Sequence, residues 1–224
     1  MNWRFHHKEE TVSTNLDARE GQHGDVYLAT RQTAGRGRLD HKWISAADSN
    51  LLMSVVLDVS GMSPEAVATF PLMIGLSVAK AVNGVIKWPN DILVGGRKVA
   101  GILCERNGDL VIAGIGVNLG EQQFPVEIAA SAGFIPKMSV PRMREMVLGE
   151  IAWWHGTWKN CGFSAIYPEI VRRDILRGRT LTVRQTDGDQ KPVKGFCKGI
   201  AEDGSLVVGD QRLYAGEAHI GAIR

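Results

Sequence analysis

Between residues 85 and 120 the chain reads VIKWPNDILVGGRKVAGILCE and then DLVIAGIGVNLG, apolar β-rich runs broken at Pro89-Asn90-Asp91, Gly95-Gly96 and Asn107-Gly108. Turns this tight return the chain beside itself, so the segment reads as a meander of three short strands with charged residues at its ends. Two more β-rich runs, DVYLAT (25–30) and NLLMSVVLDV (50–59), precede it. Between those two lies QTAGRGRLDHKW, residues 32–43, which must then be a loop displayed at a sheet edge. Its glycines let main chain approach a ligand, and arginine forks match phosphate and carboxylate oxygens. The competing reading is an ordinary solvated surface loop.

Helices fill the rest of the first 176 residues. SPEAVATFPLMIGLSVAKAVNG (63–84) has Ser63 as N-cap, Pro64 at the first helical position, Gly84 as a stop, and Pro71 to kink or divide it. PRMREMVLGEIAWWHGTWKN (141–160) repeats Met143, Val147, Ile151, Trp154 and Trp158 at helical spacing, a core-facing stripe. A second helix, SAIYPEIVRRDI, leads to Gly178. From RTLTVRQ to AHIGAIR the pattern changes to short strands with DGD and EDG turns, the mark of a small β-barrel or appended sheet. The expected boundaries are 1–176 and 177–224.

Composition narrows the function. With 26 Lys+Arg against 24 Asp+Glu, no global field argues for nucleic acid or an anionic membrane, and any anion site must be local. Cys104, Cys161 and Cys197 are odd in number and lack metal-ligand spacing, so they read as buried thiols of a reducing compartment, with no metal site. No run of about 18 apolar residues is evident and MNWRFHHKEE has no apolar leader core, so a cytoplasmic protein without a membrane partner is expected. Generic phosphate motifs fail. GRGRLD lacks the third glycine of a dinucleotide fingerprint, GIGVNLG places its last glycine one position late, and GGRKVAG lacks the ending of a P-loop.

Taken in order, STN (13–15), QTAGRGR (32–38), KWPND (87–91), RKVAGIL (97–103) and GIGVNL (114–119) resemble the biotin protein ligases. The terminal YAGEAHI is similar, more loosely, to that family's C-terminal barrel. The resemblance implies an α+β fold: a mixed, mostly antiparallel sheet packed by helices, like a class II synthetase catalytic domain, followed by a small C-terminal β-barrel. It implies biotin and ATP as substrates with Mg²⁺, and transfer of biotin from biotinyl-5′-AMP to a lysine of a carboxylase carrier domain. The Gly/Arg segment becomes a loop that orders over biotin and its adenylate.

By the same resemblance, Ser13, Thr14, Asn15, Gln32, Gly35, Arg36, Gly37, Arg38, Lys98 and Gly101 bind biotin. Trp43, Asn50, Lys87, Asn90 and Asn118 fit positions near the nucleotide, and Lys98, Arg36, Arg38 and Asp91 carry the chemistry. Each has a plainer reading beside it: Ser13-Thr14-Asn15 as a helix N-cap, Asp91 as a turn residue, Lys98 as the solvated start of a strand, the asparagines and Trp43 as turn and core. Leu39, Asp40 and His41 depart from the family, which continues here with basic residues around a glycine. About ten residues precede TVSTN, too few for a helix-turn-helix, so operator DNA is not expected. Relatives pair through sheet surfaces, which leaves a homodimer open. Rival readings are a lipoate ligase, a single-stranded nucleic-acid module built on Arg36, Arg38 and Trp43, and a biotin-binding relative without turnover.

Overall fold

The computed structural model describes residues 1–39, 41–44, 50–185 and 191–221; Asp40, the DGD turn at 187–189 and the final three residues of AHIGAIR lie outside them. One sheet is built from β1 (Arg4–Thr11), β2 (Asp25–Gln32), β3 (Asn50–Asp58), β4 (Val85–Lys87), β5 (Asp91–Val94), β6 (Arg97–Asn107) and β7 (Leu110–Asn118). Its order is β1-β2-β3-β7-β6-β5-β4, with β1 parallel to β2 and every other pair antiparallel. The sheet is thus mixed and mostly antiparallel. The meander holds four strands instead of three, because each of its turns divides one strand from the next and β4 is too short to show alternation by itself. β1 is an unexpected element: RFHHKEET has no apolar alternation and is exposed along nearly its whole length. Its ladder with β2 and the Arg4–Asp25 ion pair at 2.7 Å hold it in place.

Alternation assigns the two faces of the sheet. Leu51, Met53, Val55 and Leu57 of β3, with Ala113, Ile115 and Val117 of β7, join the main core. Successive strand residues point to opposite faces, so Ser54, Gly114, Gly116 and Asn118 occupy the other one. Cross-strand register completes that second face: Ser54 lies opposite Gly114, Asn50 opposite Asn118, Gly101 opposite Gly116 and Leu103 opposite Gly114.

On the strand-connecting side, α1 (Thr14–Asp17) precedes β2, and the 63–84 segment divides into α2 (Pro64–Ala68) and α3 (Phe70–Val82). Pro71 sits in the first turn of α3, where its missing N–H costs nothing, so the division falls just before it. The stop is Asn83 in the left-handed conformation, φ 51°, with Gly84 following it. α3 buries every residue except Pro71 and Lys80. Residues 64–82 are in fact long and apolar enough to cross a membrane by composition, contrary to expectation; the fold divides them, with α3 buried in the core and no buried residue in α2.

α4 (Val126–Ala129), α5 (Val140–Cys161) and α6 (Phe163–Arg173) follow. Ser139 caps α5 by accepting from the Arg142 N–H, and Met143, Val147, Ile151 and Trp158 are buried as the stripe requires. Trp154 is only half-buried, and His155 takes the deeper place beside it. Trp158 Nε1 donates to Thr69 Oγ1 at 2.8 Å, locking α5 to the start of α3. Cys197 is buried and its thiol is pushed up to about 11, and burial also raises the half-buried Cys104. Cys161 is exposed, contrary to expectation, because α5 ends there and Gly162 turns the chain.

His155 makes stability depend on pH. Its Nε2 donates to the Asp58 carbonyl at 2.9 Å, and burial holds its pKa below the ordinary histidine value. The unfolded chain therefore binds a proton that the folded one resists, so stability is full above about pH 6.5 and falls as pH drops below it. Urea unfolding between about pH 7 and 5 should show that loss in the parent and a flatter profile in His155→Gln. Equal slopes would remove His155 as the cause.

A second sheet, β8 (Thr180–Arg184), β9 (Val193–Ile200), β10 (Leu206–Val208), β11 (Gln211–Leu213) and β12 (Glu217–Ile220), has the order β11-β10-β9-β8-β12. The end strands β11 and β12 share no ladder among the described residues, so the small barrel is an open one. Leu181, Val183 and Leu206 join the same core as the first sheet, and Trp88 Nε1 donates to the Gly204 carbonyl at 3.0 Å. This docking carries Gly216–His219 to the glycine-bearing face.

Candidate functional site

A cavity of about 470 Å³ opens on that face, between Arg36–Arg38 and His41–Ile44, the Lys87–Asp91 turn and the start of β12. Glycine makes the room. A Cβ on Gly114 would stand 2.2 Å from Asn15 Oδ1, and one on Gly116 would stand 2.4 Å from the Trp43 ring. On Gly101 it would meet that ring at 3.0 Å and Lys98 Nζ at 3.5 Å.

One end of the cavity is neutral and polar. Thr14 donates its N–H to Gln32 Oε1 at 2.8 Å, and its hydroxyl stands 3.1 Å from the same oxygen. Ser54 Oγ lies 2.7 Å from Thr14 Oγ1 and 2.6 Å from Asn15 Oδ1. The Asn15 amide then donates to Glu105 Oε2 at 2.6 Å and weakly to the Leu103 carbonyl at 3.4 Å. Ser13, Thr14, Asn15 and Ser54 are all buried. Ser13 stands at the N-cap position of α1 but its hydroxyl makes no capping bond, so capping is not what the segment provides.

The other end is charged. Lys98 Nζ pairs with Asp91 Oδ1 at 2.6 Å and lies 5.9 Å from the Trp43 ring centroid. Its main chain is fixed on both sides: its N–H donates to Ser131 O at 2.7 Å, and its carbonyl accepts from Gly133 N at 2.8 Å. Arg38 reaches Asn90 Oδ1 and the Gly216 carbonyl, both at 3.4 Å, while Asn90 donates to Ile102 O at 3.0 Å. Burial lowers the Arg38 pKa, against the opposing pull of Asp91 and Glu217. Arg36 pairs with Glu105 Oε1 at 3.0 Å. Gly37 and Lys87 also line the cavity.

Three lining residues carry buried polar atoms without a protein partner: Trp43 Nε1, Asn118 Oδ1 and His219 Nε2. Such atoms are costly unless something bonds them, which suits a ligand with both donors and acceptors. Burial lowers the His219 pKa and nearby Lys87 adds to it, keeping the imidazole neutral beside the cations.

Two expected residues fall outside the lining. Gly35 is the point where the arms of the loop meet: its carbonyl accepts from Trp43 N at 2.9 Å, and a Cβ there would stand 2.8 Å from Trp43 O. Asn50 spends its amide oxygen on Leu119 N and Gln122 Nε2, each at 2.9 Å, so it closes the end of β7 instead of facing the cavity. The structure adds Ser54, Glu105, Gly114, Gly116 and the Gly216–His219 strand. The glycines had a readable signal, since Gly114 and Gly116 alternate with Ala113, Ile115 and Val117 along one strand.

A cavity lined by uncharged donors and acceptors, Thr14, Asn15 and Gln32, and by the cations Arg36, Arg38, Lys87 and Lys98 suits a polar-headed acid joined to a phosphate-bearing molecule. The chain belongs to the biotin/lipoate A/B protein ligase family, whose model matches residues 4–120. Within it, the chain is similar to biotin--[acetyl-CoA-carboxylase] ligase of Paracoccus denitrificans, 31% identical over 94% of this chain and 98% of that one. The ligase of the same name from Mycobacterium tuberculosis is also 31% identical, over 88% of this chain and 80% of that one. The fold matches the structure of biotin protein ligase from Aquifex aeolicus in complex with biotin and ATP, with a TM-score of 0.82, 25% identity and coverage of 97% and 98%.

Proposed function

We propose that the chain is a biotin protein ligase that forms biotinyl-5′-AMP from biotin and ATP and passes the biotin to a lysine of a biotin carboxyl carrier domain. The carrying observation is the cavity itself, which brings the polar Thr14, Asn15 and Gln32 together with Lys98, Arg36 and Arg38 in a chain similar over nearly all its length to named biotin ligases. The polar end favours a ureido head over the aliphatic dithiolane of lipoate. Apolar surface would have served the latter.

Biotin's carboxylate is ionised at neutral pH, so the first step needs no general base. Its oxygen attacks the α-phosphorus of ATP, a bond to the departing pyrophosphate breaks, and the mixed anhydride remains. Lys98, Arg36 and Arg38 offset the repulsion of the two anions and the charge that builds between them. Asn118 Oδ1 offers an acceptor to the nucleotide's amino group, and Trp43 offers a ring face to the base. Asp91 holds the Lys98 ammonium in place and stands where an incoming amine could be positioned or deprotonated.

Among the described residues no three His, Cys, Asp or Glu side chains converge as a metal cage, and Asp91 and Glu217 are paired with Lys98 and His41. Magnesium, when bound, would supply charge neutralisation to the leaving pyrophosphate, with the triphosphate as its main source of ligands and Asp91 as the nearest carboxylate of the cavity. In the second step the neutral carrier lysine attacks the acyl carbon and AMP leaves.

Incubation with ATP, Mg²⁺, biotin and a carrier domain should raise the carrier's intact mass by one biotinyl group, only when ATP is present. An unchanged mass, with the same carrier accepted by another ligase, would refute the reading. Lipoate offered in biotin's place should leave the carrier unmodified.

A further inference from the structure

Glu105 is the residue of this site that neither its sequence neighbourhood nor the proposed chemistry uses. It ends the apolar run VAGILC on β6, and its carboxylate receives two donors from different parts of the chain. Oε2 accepts from Asn15 at 2.6 Å and Oε1 from Arg36 at 3.0 Å. Followed from the loop, the bonds run without a break: the Thr14 N–H donates to Gln32, the Thr14 and Ser54 hydroxyls meet at 2.7 Å, Ser54 donates to Asn15 Oδ1, and the Asn15 amide and Arg36 both donate to Glu105. Gln32 and Arg36 are the two ends of the loop's first arm. The network therefore fastens that arm at both ends to one buried polar cluster, and the outer fastening is Glu105.

We propose that Glu105 is a positioning residue for the adenylation site: it holds the Arg36 guanidinium over the cavity through one nitrogen, leaving the others for the anionic ligand, and fixes the amide of Asn15 behind the biotin end. A single carboxylate thus couples the acid-binding end to the loop arginine. Arg36 is 44% exposed on its side chain, so an unheld guanidinium would spread over many rotamers, and the pair supplies its orientation at modest energetic cost. A carboxylate is required because both neighbours are donors. Glutamine keeps one accepting oxygen for the more deeply buried Asn15 and turns an NH₂ toward Arg36, which breaks only the outer bond.

The inference rests on the ligase reading, and its test separates the two. Parent, Glu105→Gln, Arg36→Ala and the double variant are loaded with biotin and ATP, and escape of biotinyl-adenylate is timed after gel filtration. If the parent forms no adenylate, the ligase reading fails and this role with it. If it does, Glu105→Gln should release the adenylate about threefold to fivefold faster with the Kd for biotin nearly unchanged, and should add nothing in the Arg36→Ala background. Glu105→Ala should in addition weaken biotin binding by about tenfold, because the Asn15 amide then keeps only its weak bond to the Leu103 carbonyl. A parental release rate for Glu105→Gln, or an equal further acceleration on top of Arg36→Ala, would overturn the positioning role. So would a matching loss of Tm and retention in both backgrounds, which marks a merely structural residue.

Discussion

Replacement of Lys98 by alanine slows biotin-dependent pyrophosphate exchange by at least about a hundredfold, the effect expected when a preorganised donor to developing charge is lost, about 3 kcal/mol. The ammonium is well placed for this: it sits 2.6 Å from Asp91, 5.9 Å from the Trp43 centroid, and above the glycine surface of Gly101. Stability should change little. The side chain is 39% exposed, the ion pair is of the kind worth at most about 1 kcal/mol, and the main-chain bonds to Ser131 and Gly133 survive the substitution. Transfer from chemically supplied biotinyl-adenylate should suffer less, because the phosphoryl step is already complete. Parental exchange with an unchanged circular dichroism spectrum would remove Lys98 from the chemistry, and a fall in exchange matched by unfolding would reduce it to a structural role.

Much of the sheet was legible because its central strands are β-rich apolar runs bounded by clear turns. β2, β3 and the meander were readable from Gly95-Gly96, Asn107-Gly108 and the apolar runs beside them. β1 was not, since RFHHKEET is held by backbone pairing and an ion pair instead of by burial, and neither leaves an apolar pattern. The α5 stripe misassigned one place for a related reason: His155 is buried because the Asp58 carbonyl satisfies it, a partner 97 residues away in sequence.

The site divides in the same manner. Arg36 and Arg38 stand out as paired arginines in a glycine-rich loop, whereas Lys98 and Asp91 read by themselves as a strand start and a turn residue and were singled out by the resemblance of RKVAGIL and KWPND to the biotin protein ligases. Ser54 could not, because a serine in NLLMSVVLD reads as an interruption until Gly114 is seen opposite it in the register. Glu105 looked like the solvated end of a strand, and only the fold sets it between Asn15 and Arg36. Asn50 is the opposite case: its amide oxygen is taken up by Leu119 and Gln122, contacts that lie 69 and 72 residues away.

Gly114→Ala should disable the biotin end of the cavity and destabilise the protein together. The added Cβ would fall 2.2 Å from Asn15 Oδ1 and 3.0 Å from its Cγ, inside any real contact distance, so something must move. Asn15 has nowhere to go. It is 3% exposed and tied to Ser54, itself fully buried, and to Glu105. Displacing it combines overpacking with a broken buried polar network, about 2–4 kcal/mol of stability in all. Binding of biotin should weaken by at least about tenfold, since Thr14 shares Ser54 with Asn15 and moves with it. Gly75→Ala is the matched control: in α3 the nearest atom to its added Cβ is Ile92 Cδ1 at 3.8 Å, an ordinary contact, and helix propensity favours alanine by about 1 kcal/mol. Calorimetric titration of biotin and thermal melts of the three proteins should therefore separate them, with Gly75→Ala equal to or above the parent and Gly114→Ala below it in both measurements. Parental biotin affinity in Gly114→Ala would show that the Thr14, Asn15 and Ser54 cluster does not form the acid-binding end, and that the glycine is there for the sheet alone.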